Sequence, residues 1–548
     1  MRLDFRRTAR QLALSFGPLL CIAWPATAQS TWNAGGRSEV FVNSDLERYL
    51  RYLQTEGRVG LYPWSIRDFS PRELDSLLPI TNAHPWSARY DIRRKHRGSL
   101  TLDYVRPTAT TRFNSAYPYG SNDGPIWAGR GFTTSIQAGV AVRWRWFSLK
   151  LAPIAFHAQN RVFPLMSNGE TGSFRFADGS NPNGVDRPQR FGDSPYDVFD
   201  PGESSFRVDT RLIAAGISTA DQGWGPADTY PYILGNNAAG FPHVFLGTGM
   251  PLNVWVARVH ARLVYGRLDQ TAFSSMPKDS ARRFMSGAIA VVEPRGIPGL
   301  ELGASRFFHS MWPEGGPDWS DLRIPLEPVG KKSLIDATGM TDDLRNQLAS
   351  IFFRWVLPHS GFEVYGEFGK EDHNWDLRDL ILDPDHAATH MFGFRKVWAS
   401  DSSRMLALRG EMIDMRFNTL TRTRDIGGGY YIHAQIRQGH TEDGQLLGAN
   451  VTAGSGAGAT LALEGYRRKG RWSIAWTRTL VDTAGDYSRT GVRPLKSPEV
   501  QHALGFDALF FCGPVDLHTG LSAMYEFNRY FASDRFNLNA IIGTRWSW

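Results

Sequence analysis

Phe536-Asn537-Leu538-Asn539-Ala540-Ile541-Ile542-Gly543-Thr544-Arg545-Trp546-Ser547-Trp548 divides into two faces. Phe536, Leu538, Ala540, Ile542, Thr544, Trp546 and Trp548 form one, rich in apolar and aromatic side chains. Asn537, Asn539, Ile541, Gly543, Arg545 and Ser547 form the other, which is mostly polar or small. A period of two is that of a β-strand, whose successive side chains point to opposite sides. The run is long enough for a tilted strand to cross a bilayer.

The same period recurs upstream. Leu100, Leu102 and Tyr104 alternate with Ser99, Thr101 and Asp103, from about Gly98 onward. Val140, Val142, Trp144 and Trp146 alternate with Ala141, Arg143 and Arg145. Trp255, Ala257, Val259, Ala261, Leu263 and Tyr265 alternate with a face that holds Arg258, His260 and Arg262. Trp472, Ile474 and Trp476 alternate with Arg471, Ser473, Ala475 and Thr477. Strands of soluble sandwiches run to about 5–6 residues. These are longer, and charged side chains on the inner face suit a wet lumen. The stretch from 536 to 548 resembles the closing strand by which outer-membrane barrels are recognised for assembly. The expected fold is an all-β, antiparallel transmembrane barrel over 96–548, and its expected partners include membrane lipid and the barrel-assembly machinery.

Composition agrees. Aromatics make up 13%, with 18 Trp, and Gly numbers 55, while mean hydropathy is −0.32. A barrel hides its apolar surface in alternation, so its average looks soluble while aromatics collect at the membrane interfaces. No run after the leader reaches the roughly 18 apolar residues of a transmembrane helix.

The leader sets the expected address. Arg2, Arg6, Arg7 and Arg10 precede an apolar stretch from Leu12 to Trp24, followed by Ala26-Thr27-Ala28. This is the order of a signal peptide, expected over 1–28. Leu20 before Cys21 argues against a lipoprotein. The leader's four Arg and one Asp account for +3 of the +7 net charge, leaving +4. That mild, scattered charge does not indicate nucleic acid. Cys512 is the one cysteine beyond the leader, so no internal disulfide is expected.

Residues 29–95 read as a helical section expected to plug the barrel from the periplasm. Ser44-Asp45-Leu46-Glu47 is a capping box with Glu47 reaching back, Leu46, Tyr49, Leu50 and Leu53 share a face, and Gly57 ends the helix. Ser70-Pro71-Arg72-Glu73 starts a second helix, striped by Leu74, Leu77 and Leu78. Two long polar stretches, 167–204 and 312–335, lack strand period and read as loops. The first is assigned to the outside, and the second is an outer loop or a lid. A short helix is expected over Thr341–Ala349.

Candidate chemistry is sparse. His386 and His390 have a spacing that could hold a metal on a helix, but Pro384 makes the region a loop, so no metal or cofactor is expected. Glu363 and Glu367 share parity and should face the lumen. They could pair with arginines such as Arg143, Arg145 and Arg258, or bind a ligand. Phe191, Tyr196, Phe199, Tyr230, Tyr232 and Trp375 lie among Asn, Asp, Gln and Gly. That mixture suits sugars, whose C–H faces meet rings and whose hydroxyls meet amides; the alternative is girdle or loop packing.

Residues 203–247 carry a family likeness. Glu203-Ser204-Ser205-Phe206-Arg207-Val208-Asp209 precedes Ala214-Ala215-Gly216-Ile217-Ser218-Thr219, then Gly223-Trp224-Gly225-Pro226, Asn236-Asn237 and Phe241-Pro242. Later come Glu363-Val364-Tyr365-Gly366-Glu367, Asp372-His373-Asn374-Trp375-Asp376-Leu377-Arg378-Asp379, and Gly439-His440-Thr441-Glu442-Asp443-Gly444-Gln445 with Leu447-Gly448. Arg67 and Pro71 fit as well. In this order the motifs resemble the Wzi family of capsule-assembly outer-membrane proteins, over nearly the whole mature chain. The resemblance implies an 18-stranded barrel with a small helical bundle at its periplasmic mouth, and a lectin-like, non-enzymatic role in organising capsular polysaccharide. Gly223 stands where the family often has a Trp. Tyr196, Trp224, Asn236, Asn237, Glu363, Glu367, Asp372, His373 and Trp375 are the candidate glycan or lumen residues. Trp224-Gly225-Pro226 also reads as an architectural bend. The rival readings are a porin or sugar channel, and a barrel hydrolase, for which no Gly-x-Ser-x-Gly is present.

Overall fold

From Leu100 onward the alternation becomes a wall. The computed structural model describes residues 36–79, 81, 83–90, 100–276, 282–327, 345–371, 377–416, 429–433, 435–482 and 497–547. Among these, eighteen antiparallel strands close on themselves. They are β1 (Leu100–Asn114), β2 (Gly131–Trp144), β3 (Phe147–Leu151, continued by Ile154–Ala158), β4 (Tyr196–Asp200, continued by Ser205–Asp209), β5 (Ala214–Ser218) and β6 (His243–Gly247, continued by Leu252–Val254). Next come β7 (Ala257–Leu268), β8 (Arg283–Pro294), β9 (Leu300–Met311), β10 (Asn346–Leu357), β11 (Phe362–Glu371) and β12 (Ala388–Asp401). The last six are β13 (Arg404–Met415), β14 (Ser455–Arg467), β15 (Gly470–Asp482), β16 (Glu499–Cys512), β17 (Val515–Arg529) and β18 (Ser533–Trp546). Pro153, Pro201 and Pro251 fall in the three interruptions, where a missing N–H costs the ladder least.

The two faces separate as the physics of lipid requires. On β2, Phe132 and Ile136 are 45% and 60% exposed, while Thr133 and Ser135 between them are buried. On β18, Phe536 and Ile542 face out and Asn537 and Asn539 face in. Because a bilayer offers no partner to an open edge, the sheet closes. β1 pairs with β18 from Thr108↔Arg545 to Asn114↔Asn539. Leu100–Val105 pairs only with β2, and the register shifts between Val105 and Thr108, around Pro107. At this seam Arg106 turns inward and binds Glu39 through Nε and Nη2, at 2.6 Å each, and Asp516 through Nη1 at 2.9 Å.

Connections alternate in length. Short turns such as 145–146, 402–403, 468–469 and 513–514 lie at one end, and long loops such as 115–130, 159–195 and 219–242 at the other. This asymmetry marks the short-turn end as periplasmic. The N-terminal helices α1 (Asp45–Thr55) and α2 (Pro71–Ser76) sit there. Trp86 Nε1 donates to Gly470 O and Arg89 Nη1 to Gly513 O, both at short turns. Leu46, Tyr49, Leu50 and Leu53 are buried with Trp64, Trp86 and the wall residues Val397, Ala407 and Tyr466. A second apolar cluster fills the lumen above, around Trp224, Tyr232, Phe307 and Tyr431.

Several expectations need correction. Val140–Trp144 is strand, but Arg145 and Trp146 form the turn, with Arg145 at φ 54°. Residues 345–349 are not helix: β10 begins at Asn346, and 341–344 lie outside the described residues. The 167–204 loop contains the first half of β4, which places Phe199 on the lipid face, 72% exposed. The 312–335 stretch contains helix α3 (Trp319–Arg323), capped by Asp318. Glu47 reaches back to the Asn43 N–H rather than to Ser44. His386 lies in a turn and His390 on β12, so the two share no helix. Gly98, Ser99, Trp548 and the leader lie outside the described residues.

Candidate functional site

The inside of the barrel is a ladder of charges running from helix to wall to loop. Ser44 caps α1 by accepting the Glu47 N–H, which sets the helix so that Arg51 projects into the lumen. Arg51 donates to Glu363 on β11 at 2.6 Å and to Asp228 at 2.9 Å. Glu363 also accepts from Arg354 at 2.9 Å and Arg395 at 2.7 Å, and Arg395 pairs with Asp228. Glu301 takes the Trp64 N–H at 3.0 Å, the Ser65 hydroxyl at 2.9 Å and Arg354. All of these side chains are buried or nearly so. A buried carboxylate is costly unless its lone pairs are met, and here guanidinium forks meet them. Burial alone would raise the Asp228 carboxyl, but Arg395, Arg51 and Arg67 outweigh it and hold it well below the usual range.

Glu363 therefore does face a lumen ion-pair network, with Arg51, Arg354 and Arg395 as its partners. Of the arginines named from sequence, Arg143 reaches Asp75 at 3.6 Å and Arg258 reaches Glu293 at 2.7 Å. Arg145 sits over the Trp144 ring at the turn. The partners of Glu363 come from elements far apart in the chain.

Loop 219–242 folds down into the barrel. Its Trp224 is fully buried and edge-on to Phe307. Backbone bonds run from Arg67 N–H to Gly223 O and from Gly225 N–H to Ser65 O, at 2.9 Å each. Gly225 has φ +83°, and a Cβ there would meet a Glu367 carboxylate oxygen at 2.9 Å. Trp224-Gly225-Pro226 thus lies inside the plug, away from the surface, and Glu367 is buried behind it. Glu411, which the sequence reading missed, accepts three successive backbone N–H groups, of Asp228, Thr229 and Tyr230, and the Tyr365 hydroxyl. No local motif announces it; an inward-parity glutamate on β13 was the available signal.

Above the plug, the outer loops converge. Asn236 Nδ2 donates to Asn122 O at 2.8 Å and its Oδ1 accepts from Asn43 at 2.7 Å. Asn237 Nδ2 donates to Leu446 O at 2.8 Å. A pocket of about 180 Å³ opens beside them, lined among others by Tyr119, Asp123, Trp127, Asn237, Gln445 and Asn450. Arg187 also lines it, and Arg112 lies 2.6 Å from Asp123. Trp127 meets Phe191 edge-on at 5.0 Å, and Phe191 stacks on Tyr196 at 4.3 Å. Tyr230 and Tyr232, by contrast, are buried in the plug. Asp372, His373 and Trp375 lie outside the described residues. An aromatic wall with amides, a carboxylate and a guanidinium within reach can hold polar, ring-shaped ligands.

The fold has solved counterparts. Wzi of Escherichia coli, described as an outer membrane protein involved in group 1 capsule assembly and a carbohydrate-binding β-barrel, matches at TM-score 0.60. It is 16% identical, over 93% of this chain and 99% of that one. OccK5 (OpdH) of Pseudomonas aeruginosa and OccAB3 of Acinetobacter baumannii match at TM-score 0.39, with 9% and 7% identity. They cover 81% and 80% of this chain and 99% and 98% of their own. No curated protein sequence matches the chain. Residues 120–469, well over half of the chain, match the family described as capsule assembly protein Wzi. That stretch holds the inserted loop 219–242, the buried Glu363 and most of the outer pocket's lining, and with it this chain belongs to the Wzi capsule-assembly family.

Proposed function

We propose that this barrel sits in the outer membrane and holds exported capsular or extracellular polysaccharide at the cell surface, without catalysing a reaction. The observation that carries the reading is the outer pocket of Tyr119, Trp127, Asp123, Asn237, Gln445 and Asn450, open above a lumen filled by the ionic ladder and two apolar clusters. A plug this heavily stitched favours holding over transport. Sugars suit such a mouth: rings stack on Tyr and Trp, and hydroxyls bond to amides and carboxylates. A single site of this kind is weak, but a polymer presents many repeats and gains by avidity.

The test is a deletion strain complemented with the wild-type chain. Cell-bound and shed polysaccharide are assayed separately, with barrel abundance checked in the same cells. The expected result is unchanged total polymer with more of it in the medium. Loss of total polymer would place the protein in synthesis or export, and altered small-solute uptake alone would make it a channel.

A further inference from the structure

A second outer cavity lies beside the closing seam, apart from the aromatic pocket. It measures about 610 Å³, within the size range of ligand pockets. Its lining comes from the loops after β1 and β3 and from the β17–β18 turn. Arg130, Arg529 and Arg535 line it, and no Asp or Glu does.

The three arginines are not equivalent. Arg529 is engaged: it pairs with Glu526 at 2.6 Å, donates to the Tyr530 hydroxyl at 2.8 Å and lies 3.9 Å over the Tyr117 ring. Among the described residues Arg130 donates only to main-chain carbonyls, Ser115 O at 3.1 Å and Val162 O, which fix its position without cancelling its charge. Arg535 is exposed at the start of β18. Among the described residues, neither Arg130 nor Arg535 has a carboxylate at ion-pair distance. Neighbouring Asp534 is turned to other work, accepting the Tyr525 hydroxyl at 3.1 Å and the Asn528 N–H at 3.0 Å. The floor is rigid: Asn537 accepts the Ser115 hydroxyl and the Ala116 N–H and donates to Tyr117 O.

We propose that this cavity is a carboxylate-recognising subsite, and that the polysaccharide held by this barrel is an acidic one carrying uronic acid or comparable carboxylated sugars. The inference rests on the glycan-holding reading above and narrows its substrate class. Two guanidiniums with unspent charge in a concave, carboxylate-free lining fit a planar carboxylate by bidentate bonding. Tyr530 and the adjoining Pro164 and Leu165 offer apolar surface to a sugar ring. At the mouth of a barrel, such a positive cavity also concentrates an anionic polymer, an attraction that salt weakens.

The experiment titrates the full chain in detergent micelles, by calorimetry, with hexagalacturonate and with the same hexasaccharide fully methyl-esterified. The two share rings and hydroxyls and differ in charge. The expected result is binding of the acid at least about tenfold tighter than the ester, the worth of roughly one charge-assisted contact. The preference should shrink as NaCl rises and should be lost in R130Q/R535Q. R535Q alone, which removes an exposed side chain and leaves the loop bonds of Arg130 in place, should lose part of it. Heat-modifiable migration confirms that each variant is folded. Equal binding of acid and ester, or an acid preference untouched by the substitutions, overturns the acidic subsite and leaves the glycan-holding reading standing. Binding of neither hexasaccharide, together with no adherence of whole polysaccharide to cells, overturns both. Displacement of the acid by lipopolysaccharide at equimolar amounts assigns the arginines to lipid phosphate and overturns the proposal as well.

Discussion

Glu363 on the barrel wall and Arg51 on the first helix meet at 2.6 Å across 312 residues of chain. That contact is one of several that join the plug to the wall. Both side chains are essentially inaccessible to water, so removing either one leaves the rest of the buried network short of a charge, although Arg354 and Arg395 also hold Glu363 and Asp228 also holds Arg51.

The first prediction follows from that pair. Arg51→Ala should lower the resistance of the folded barrel to thermal unfolding by about 1–3 kcal/mol, the cost of leaving buried polar groups short of one partner while Arg354 and Arg395 still hold Glu363. It should also loosen the plug, so that conductance in planar bilayers rises above that of the wild type. Wild-type thermal mobility on gels together with wild-type conductance would show that the plug is held by its apolar contacts alone.

Acid should act on the buried carboxyls of the N-terminal section and of the ladder. The Glu73 carboxyl, buried on α2, is held down to about 2: burial opposes its charge, but the His260 hydrogen bond and the positive charges of His260, Arg262 and Arg207 prevail. Asp228 is lowered for a like reason. A group with a depressed folded pKa stabilises fully above its ordinary value, near 4.5 for Glu73, and loses that contribution as pH falls toward the folded one. Plug release should therefore set in below about pH 4.5 and deepen toward pH 2, followed by tryptophan fluorescence and bilayer conductance. No change between pH 7 and pH 2.5 would contradict the assignment.

Gly225→Ala should destabilise although it adds only a methyl group. The left-handed backbone costs a non-glycine residue about 1–2 kcal/mol, and the new Cβ would crowd Glu367. The expected signs are a lowered unfolding temperature and reduced surface retention of polysaccharide at equal barrel abundance. Trp224→Ala should behave alike through the cavity it leaves, with no effect on soluble-sugar binding measured in the folded fraction.

Ala540→Arg should separate the two faces of β18. Ala540 lies near the middle of the strand on the lipid face, where an Arg costs about 2–4 kcal/mol. Its neighbour Asn539, buried on the lumen side, should accept Ser with a smaller loss. Membrane-integrated protein, assayed by heat-modifiability, should drop sharply for the first and little for the second. Truncation of residues 536–548 should abolish integration altogether.

Trp127→Ala and Tyr119→Ala test the outer pocket. Each should raise the shed fraction of polysaccharide by degrees, because avidity softens single losses. The double substitution should exceed either one. Unchanged retention in the double variant would move the binding surface elsewhere on the outer loops.

The wall was legible in the sequence because a strand's period is local. Five or six residues of β18 suffice to tell Leu538 from Asn539. The capped starts of α1 and α2 were legible for the same reason, since Ser44 and Ser70 sit within three residues of the N–H groups they satisfy. What stayed hidden depends on distance along the chain. Arg51 had no visible reason to seek Glu363, and Glu411 none to cradle residues 228–230. β4 was half concealed because Pro201-Gly202 interrupts its ladder, and a short run such as Tyr196–Asp200 between polar residues has no period to read. At the outer mouth, composition drew attention to Tyr196, whereas Tyr119, Trp127 and Arg535 gather there only once the strands are placed.

The seam between β1 and β18 carries a consequence for manufacture. Leu100–Val105 runs past the paired part of β18, and Arg106 there reaches Glu39, which precedes the first helix, and Asp516, which opens β17. Beginning and end of the folded chain are thus riveted at one point. Arg106 meets both carboxylates only when the N-terminal segment and the last strands are in place together, so the rivet is a completion mark that an incomplete copy from either side lacks. The same proximity makes the molecule a natural candidate for circular permutation: joining the two ends by a short linker and opening the chain in a long outer loop should preserve the ring.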